Sequence, residues 1–258
     1  MTHVVPTGQV AVQRSGALVR LTLCHAGKFN AMSRAMWLQL KTVFLDIQAD
    51  ASVRCVVVVG AQGHFCAGGD ISEYPQFRYD AEQLRQVHAQ EVWGALQAIL
   101  DCDVPIIAQI EGNCMGAGLE IASCCDVRMA AHAAKFGAPI ARLGFPMAPR
   151  EAALVAQATG TTMARAILLA AEVFDAADML RCGFLTRVVA PEVLALQVQQ
   201  MAERITHLAP LAARMNKQTL RTLAPQMPPE AADSYAYANS PEHREGITAF
   251  IEKRKPHF

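Results

Sequence analysis

Twice in this chain a short, largely apolar run ends in a cluster of small residues. Val56-Val57-Val58-Val59-Gly60 leads to His64-Phe65-Cys66-Ala67-Gly68-Gly69-Asp70-Ile71, and Val104-Pro105-Ile106-Ile107-Ala108-Gln109-Ile110 leads to Gly112-Asn113-Cys114-Met115-Gly116-Ala117-Gly118-Leu119-Glu120. Apolar runs of this length read as buried strands, and the small residues after the second run open a buried helix over residues 116–125. Amides at a helix start have no internal acceptor and carry the positive end of the dipole, so they suit an anion or a developing oxyanion. Glu120 falls on the first turn of that helix. A carboxylate beside an oxyanion site is the minimum equipment for moving a proton next to a carbonyl. Each segment alone also fits a tight turn or close helix packing, and Glu120 alone also fits a carboxylate that complements the dipole.

The same grammar recurs along the chain. Residues 17–23 alternate as a strand, and residues 33–49 form an amphipathic helix with Ser33 as N-cap. Strand 54–59 leads to a helix over 81–100, strand 106–110 to the helix over 116–125, and strand 126–130 follows. Strands alternating with helices predict an α/β fold with crossovers, and leave open a doubly wound sheet or stacked ββα units. From about residue 190 the pattern is helical, with helices predicted over 192–208, 210–223, 229–238 and 241–253. Pro225-Gln226-Met227-Pro228-Pro229 breaks this region but is too short to separate independent domains. The organisation predicted is a core over 1–190 and a helical region over 191–258.

Composition removes several classes. Twenty-three basic residues balance twenty-three acidic ones, which gives no broad footprint for nucleic acid or an anionic membrane. Met1-Thr2-His3-Val4-Val5-Pro6 lacks the charged n-region of a signal peptide, and no apolar stretch reaches the length of a membrane span. The eight cysteines contain no C-x-x-C pair and the eight histidines no H-E-x-x-H, so no metal is expected and the cysteines, Cys66 and Cys114 included, read as packing residues. A reducing cytoplasm is the expected compartment. Ile121 stands where a G-x-G-x-x-G fingerprint needs its third glycine, and no G-K-[ST] marks a P-loop.

Together the two small-residue segments resemble the enoyl-CoA hydratase/isomerase (crotonase) family, in the order and separation of its F-[CSA]-A-G-x-D-[IL] and G-x-x-x-G-[GA]-G-x-E motifs. Lys28-Phe29-Asn30-Ala31-Met32, Lys135-Phe136-Gly137-Ala138-Pro139 and Phe250-Ile251-Glu252-Lys253-Arg254-Lys255-Pro256 extend the likeness from about residue 10 to the end. The resemblance implies a crotonase spiral of ββα units with a C-terminal helical region that assembles trimers, often paired into hexamers. It implies an acyl-CoA thioester as substrate, with no separate cofactor. The amides of Gly69 and Ala117 match the oxyanion donors, and Glu120 matches a catalytic carboxylate. Lys28, Phe29, Asn30, Ala67, Gly68, Asp70 and Ile71 match the path of the CoA moiety, although Asp70 fits a loop cap equally well. Phe250 or Lys253 from a neighbouring subunit is expected to help close that path.

One departure matters. The family's later F-G-x-P-E segment supplies a second glutamate, and Ile140 stands in its place here. Arg142, close by, fits either the pocket or a structural role. The activity this implies is that of an enoyl-CoA hydratase-like lyase working through a thioester enolate, with Glu120 as principal acid/base. A double-bond isomerase or another single-carboxylate crotonase is the alternative, and a non-catalytic CoA- or RNA-binding homologue is the rival of a different class. The RNA version expects a lysine-rich helix, whereas residues 33–49 offer only Arg34 and Lys41. Residues 72–90 and 143–150 are the segments expected to shape the acyl pocket.

Overall fold

The structure is a computed structural model that describes residues 8–229 and 233–258. Its main sheet holds six strands: β1 (Gln9–Ser15), β2 (Leu18–Cys24), β3 (Cys55–Gly60), β4 (Ile106–Ile110), β6 (Val127–Ala131) and β9 (Arg187–Val189), adjacent in that order. Only β1 and β2 run antiparallel; every later pair is parallel. A second sheet joins β5 (Asn113–Met115), β7 (Lys135–Gly137) and β8 (Val173–Asp175).

Stacking of the two sheets makes a spiral. Each turn runs from a main-sheet strand, through a short extended piece in the second layer, to a helix. The turn from β4 passes β5 and enters α4 (Ala117–Cys124), and the turn from β6 passes β7 and enters α5 (Pro149–Thr159) and α6 (Thr161–Leu169). In the turn from β3 the short piece is a single parallel bridge, Cys66 to Cys114, before α2 (Ala81–Val87) and α3 (Trp93–Asp101). Neighbouring turns therefore pair in both layers, which sets residues 66–70 beside residues 114–118.

The apolar run of β3 divides by the strand period of two. Val56 and Val58 enter the large core with Leu40 and Phe44 of α1 (Arg34–Ala49), while Cys55 and Val57 face the opposite side. That side is covered by Leu194, Val198 and Ala202 of α8 (Pro191–Thr206), which follows α7 (Ala176–Arg181) and β9. Ser33 caps α1 by accepting from the Met36 amide.

Two helices expected from sequence differ. Residues 81–100 are not one α-helix: a π turn, His88–Val92, separates α2 from α3. This turn buries Glu91, whose carboxylate takes a two-pronged ion pair from Arg34. The helix expected over 229–238 falls partly on residues 230–232, outside the described residues. The rest is turn followed by a 3-10 turn, Ala236–Asn239. Tyr235 and Ala238 there bury against Phe77, Leu84 and Val87, so a local packing demand overrides helix propensity.

Helix α9 (Pro210–Thr222) binds the body by its polar face. Lys217 pairs with Asp126 at 2.8 Å, Arg221 with Asp103 at 2.8 Å, and Arg214 donates to the Asp50 carbonyl. Its apolar side chains Leu211, Met215 and Leu220 are exposed, as are the adjoining Leu208 and Leu223. Helix α10 (Pro241–Ile251) lies against the 3-10 turns Ile71–Gln76 and Ile140–Leu143. Among the described residues no helix is long and apolar enough to cross a membrane.

Candidate active site

The loop after β3 and the start of α4 meet at two glycines. Gly68 (φ 116°) and Gly116 (φ 47°, ψ −111°) occupy backbone conformations that favour glycine, and a Cβ on Gly116 would come within 3.5 Å of the Gly68 Cα. Hydrogen bonds fix the loops from outside: Met32 N–H donates to Gly68 O and Asp70 N–H to Met32 O, both at 2.8 Å, and Gly116 N–H donates to Gly137 O at 2.8 Å. The amides of Gly69 and Ala117 are left over. Neither has an acceptor among the described residues, and both residues line a cavity of about 680 Å³.

Glu120 lines the same cavity, one turn into α4. Burial pushes its carboxyl up to about 8, and the negative charge of Glu151 adds to the shift, while the Arg78 guanidinium opposes it. Loss of solvation and a like charge together outweigh the single cation. The upward shift favours the protonated carboxyl, the form able to give a proton. Ile140 also borders the cavity and offers only an apolar wall. Arg142, its neighbour, lines the cavity while donating to the Ala171 carbonyl at 3.1 Å.

Most of the expected CoA-path residues are gathered at this cavity: Lys28, Phe29, Ala67, Gly68, Asp70 and Ile71 all border it. Asp70 serves as a loop cap. It is buried, accepts from the Ser72 amide and hydroxyl, and takes an ion pair from Lys28 at 2.6 Å that holds its carboxyl below the usual range against the burial that raises it. Asn30 stands apart from the cavity. Its side chain accepts from the His25 amide and donates to the carbonyls of Ala61 and His64, so it clamps the loop behind the site. Phe250, on α10, and Lys253, just beyond its end, border the cavity of their own chain. Burial pushes the Cys66 thiol up to about 12 and raises that of Cys114 as well, which leaves both as packing groups.

Sequence patterns did not expose the rest of the cavity wall. The Tyr74 hydroxyl fills the space a Cβ on Gly69 would take and has no hydrogen-bond partner among the described residues. Burial, with Glu120 adding, raises its pKa. His88, delivered by the π turn, borders the cavity and meets buried Glu151 at 3.1 Å. Arg78 enters from the segment before α2. These residues carry no spacing signature; the one available signal was that they fall within residues 72–90, the stretch expected to shape the acyl pocket. Among the described residues no group of three or more His, Cys, Asp or Glu side chains gathers as a metal site.

A two-layer spiral that presents a pair of unbonded amides next to a half-buried carboxyl whose pKa is raised defines a crotonase-type site. Residues 13–258 match the family model described as enoyl-CoA hydratase/isomerase, and the chain belongs to that family of acyl-CoA-processing enzymes. It is 30% identical to a crotonyl-CoA hydratase of Syntrophomonas wolfei, over 96% of this chain and 97% of that protein. Among solved structures, an enoyl-CoA hydratase/carnithine racemase from Magnetospirillum magneticum is 34% identical with a TM-score of 0.82, covering 98% of this chain and 96% of that one. A methylmalonyl-CoA decarboxylase in complex with 2-nitronate-propionyl-CoA is 27% identical with a TM-score of 0.85, covering 97% and 98%.

Proposed function

We propose that this enzyme is an enoyl-CoA hydratase-like lyase that works through a thioester enolate, with Glu120 as its acid/base group. The observation that carries this is the pair of unbonded amides, Gly69 and Ala117, on the cavity that Glu120 lines. Donors already oriented by Gly68 and Gly116 stabilise a thioester oxygen as it gains negative charge, with no reorganisation at the moment of reaction. As the water oxygen adds to the β-carbon, the neutral Glu120 carboxyl gives its proton to the α-carbon and the carboxylate so formed takes the proton that the water releases; dehydration runs the same transfers in reverse.

Ile140 favours a second reading for one specific reason. Hydration profits from a second carboxylate that holds the water, and an isoleucine wall cannot do so; moving a double bond needs only one group that takes and returns a proton. A panel of α,β-enoyl-, β,γ-enoyl- and 3-hydroxyacyl-CoA thioesters followed by mass spectrometry separates the two. Hydration that depends on Glu120 supports the lyase, robust isomerisation with negligible hydration supports the isomerase, and binding with neither reaction supports a non-catalytic homologue.

Ile140→Glu is expected to raise hydration of a short enoyl-CoA, by less than the about 10²–10⁴-fold that a fully positioned acid/base group contributes. Burial will hold the new carboxyl partly neutral and cost stability, so melting temperature is measured alongside turnover. A well-folded variant with no gain in hydration would show that position 140 does not reach the reacting carbons.

The expected assembly is a homotrimer or a dimer of trimers, supported by the exposed apolar side chains of α9 and its flanks. Large apolar side chains exposed together on one helix and its flanks favour an association face. Sedimentation is expected to give a trimer or a hexamer, and a Leu211→Glu, Leu220→Glu double variant to dissociate it. A stable wild-type monomer across micromolar concentrations would remove this assignment.

A further inference from the structure

Arg78 is the unusual cation of this cavity. Its residue is only 3% exposed, yet among the described residues it forms no ion pair. Its hydrogen bonds go to neutral acceptors: Nε donates to His243 Nε2 at 3.4 Å and Nη2 to the Tyr237 hydroxyl at 3.2 Å. His243 is fixed as an acceptor because its Nδ1 meets the Ala238 carbonyl at 3.0 Å, and burial pushes its pKa down to about 4, so it stays uncharged. The guanidinium stacks over the rings of Tyr74, 4.5 Å from its centroid, and Phe145, at 4.0 Å. Two modest hydrogen bonds and two ring faces orient the group, yet they use few of its five N–H donors and supply no countercharge. Nη1 makes no hydrogen bond within the described residues.

We propose that Arg78 is a carboxylate-binding residue and that the acyl portion of the substrate carries its own carboxylate. A buried, uncompensated guanidinium is costly to hold, and the flat fork of an arginine matches a carboxylate in two parallel hydrogen bonds. Glu120 is not that partner, since among the described residues the two side chains form neither an ion pair nor a hydrogen bond. Glu151 is not either, because it is held by His88. The remaining place for an anion is the cavity itself, which Arg78 and Glu120 both line. One function of the aromatic and histidine cage is then clear: it fixes the fork before substrate arrives, so ordering is not charged against binding.

This inference rests on the acyl-CoA reading of the cavity, and the test separates the two. Saturated thioesters, which cannot be hydrated, are titrated calorimetrically in matched pairs: glutaryl-CoA with valeryl-CoA, adipyl-CoA with hexanoyl-CoA, and methylmalonyl-CoA with isobutyryl-CoA. In at least one pair the carboxylated member is expected to bind wild-type enzyme about tenfold or more tightly, the scale of a charge-assisted hydrogen bond. That preference should collapse in Arg78→Met and be partly kept in Arg78→Lys, which preserves charge but not the fork. Tight binding of uncharged thioesters with no carboxylate preference in any wild-type pair would overturn the role of Arg78 alone, whether or not the variants fold. Failure of every thioester to bind would overturn both readings. An equal preference in wild-type and a folded Arg78→Met enzyme would place the carboxylate elsewhere and refute the assignment.

Discussion

Replacing Glu120 with Gln is expected to lower turnover by about 10²–10⁴-fold, the range of a positioned acid/base group, while leaving the fold and thioester binding in place. Glutamine keeps the shape and a hydrogen-bonding end but cannot exchange a proton. The pH dependence should carry the signature of burial. Because the carboxyl titrates near 8, the direction of reaction that needs Glu120 as a base should speed up as pH rises through about 8, and the direction that needs it as an acid should slow. The Gln variant should show neither change. Stability follows from the same shift: the native state keeps a proton that the unfolded chain, with its ordinary value of 4.5, has already released. The stabilising effect is full below 4.5 and is lost as pH rises through about 8. Gln removes this loss, so its gain in melting temperature over wild type should be larger at pH 9 than at pH 6. Wild-type activity unaffected by the substitution would exclude Glu120 as the acid/base group, and a stability difference independent of pH would contradict its raised pKa.

What the sequence made legible was the part of the site built from backbone. Small residues after buried strands are visible in the order of residues alone, and the spiral needs them where its turns touch, so that order is enough to locate Gly68, Gly116 and the amides that follow. Glu120 was legible for the same reason, as a charge at a fixed offset from a helix start. The side-chain wall was not. Tyr74, Arg78 and His88 come from three separate local structures, a 3-10 turn, an irregular segment and a π turn, and share no period that would mark them as neighbours. The π turn itself hides inside a stretch whose apolar spacing reads as one continuous helix. Asn30 is a case of the opposite kind: its motif drew attention to a ligand path, and only the folded chain shows its side-chain amide holding the carbonyls of Ala61 and His64. Likewise, a C-terminal helix with exposed leucines suggests assembly, but only the folded chain shows that Phe250 and Lys253 turn back onto their own cavity.

The second large effect concerns the oxyanion donors, and it is expected from a single methyl group. A Cβ on Gly69 would overlap the Tyr74 hydroxyl. Tyr74 cannot easily yield, because its ring is packed edge-on to Phe77 at 5.8 Å and Phe145 at 6.0 Å, with the Arg78 guanidinium over its face. On the other side the loop is tied to Met32 by two hydrogen bonds. In Gly69→Ala the loop between these restraints must shift, and the Gly69 amide moves with it. Removing one such donor costs about 2.7–4 kcal/mol in other enzymes, so kcat should fall by about 10²–10³-fold. Thioester binding should change far less, since the oxygen gains most of its charge only in the transition state. Gly116→Ala is a poorer probe, as its backbone conformation would strain the fold as well as the site. The cause can be isolated by adding Tyr74→Phe to Gly69→Ala, which removes the overlapping oxygen and leaves the ring. Recovery of most of the lost rate would show that steric displacement of the amide was responsible. No recovery, with Tyr74→Phe alone also slow, would show that the unpaired hydroxyl beside Glu120 takes part in the reaction itself; an unchanged kcat in folded Gly69→Ala would remove Gly69 from the oxyanion site.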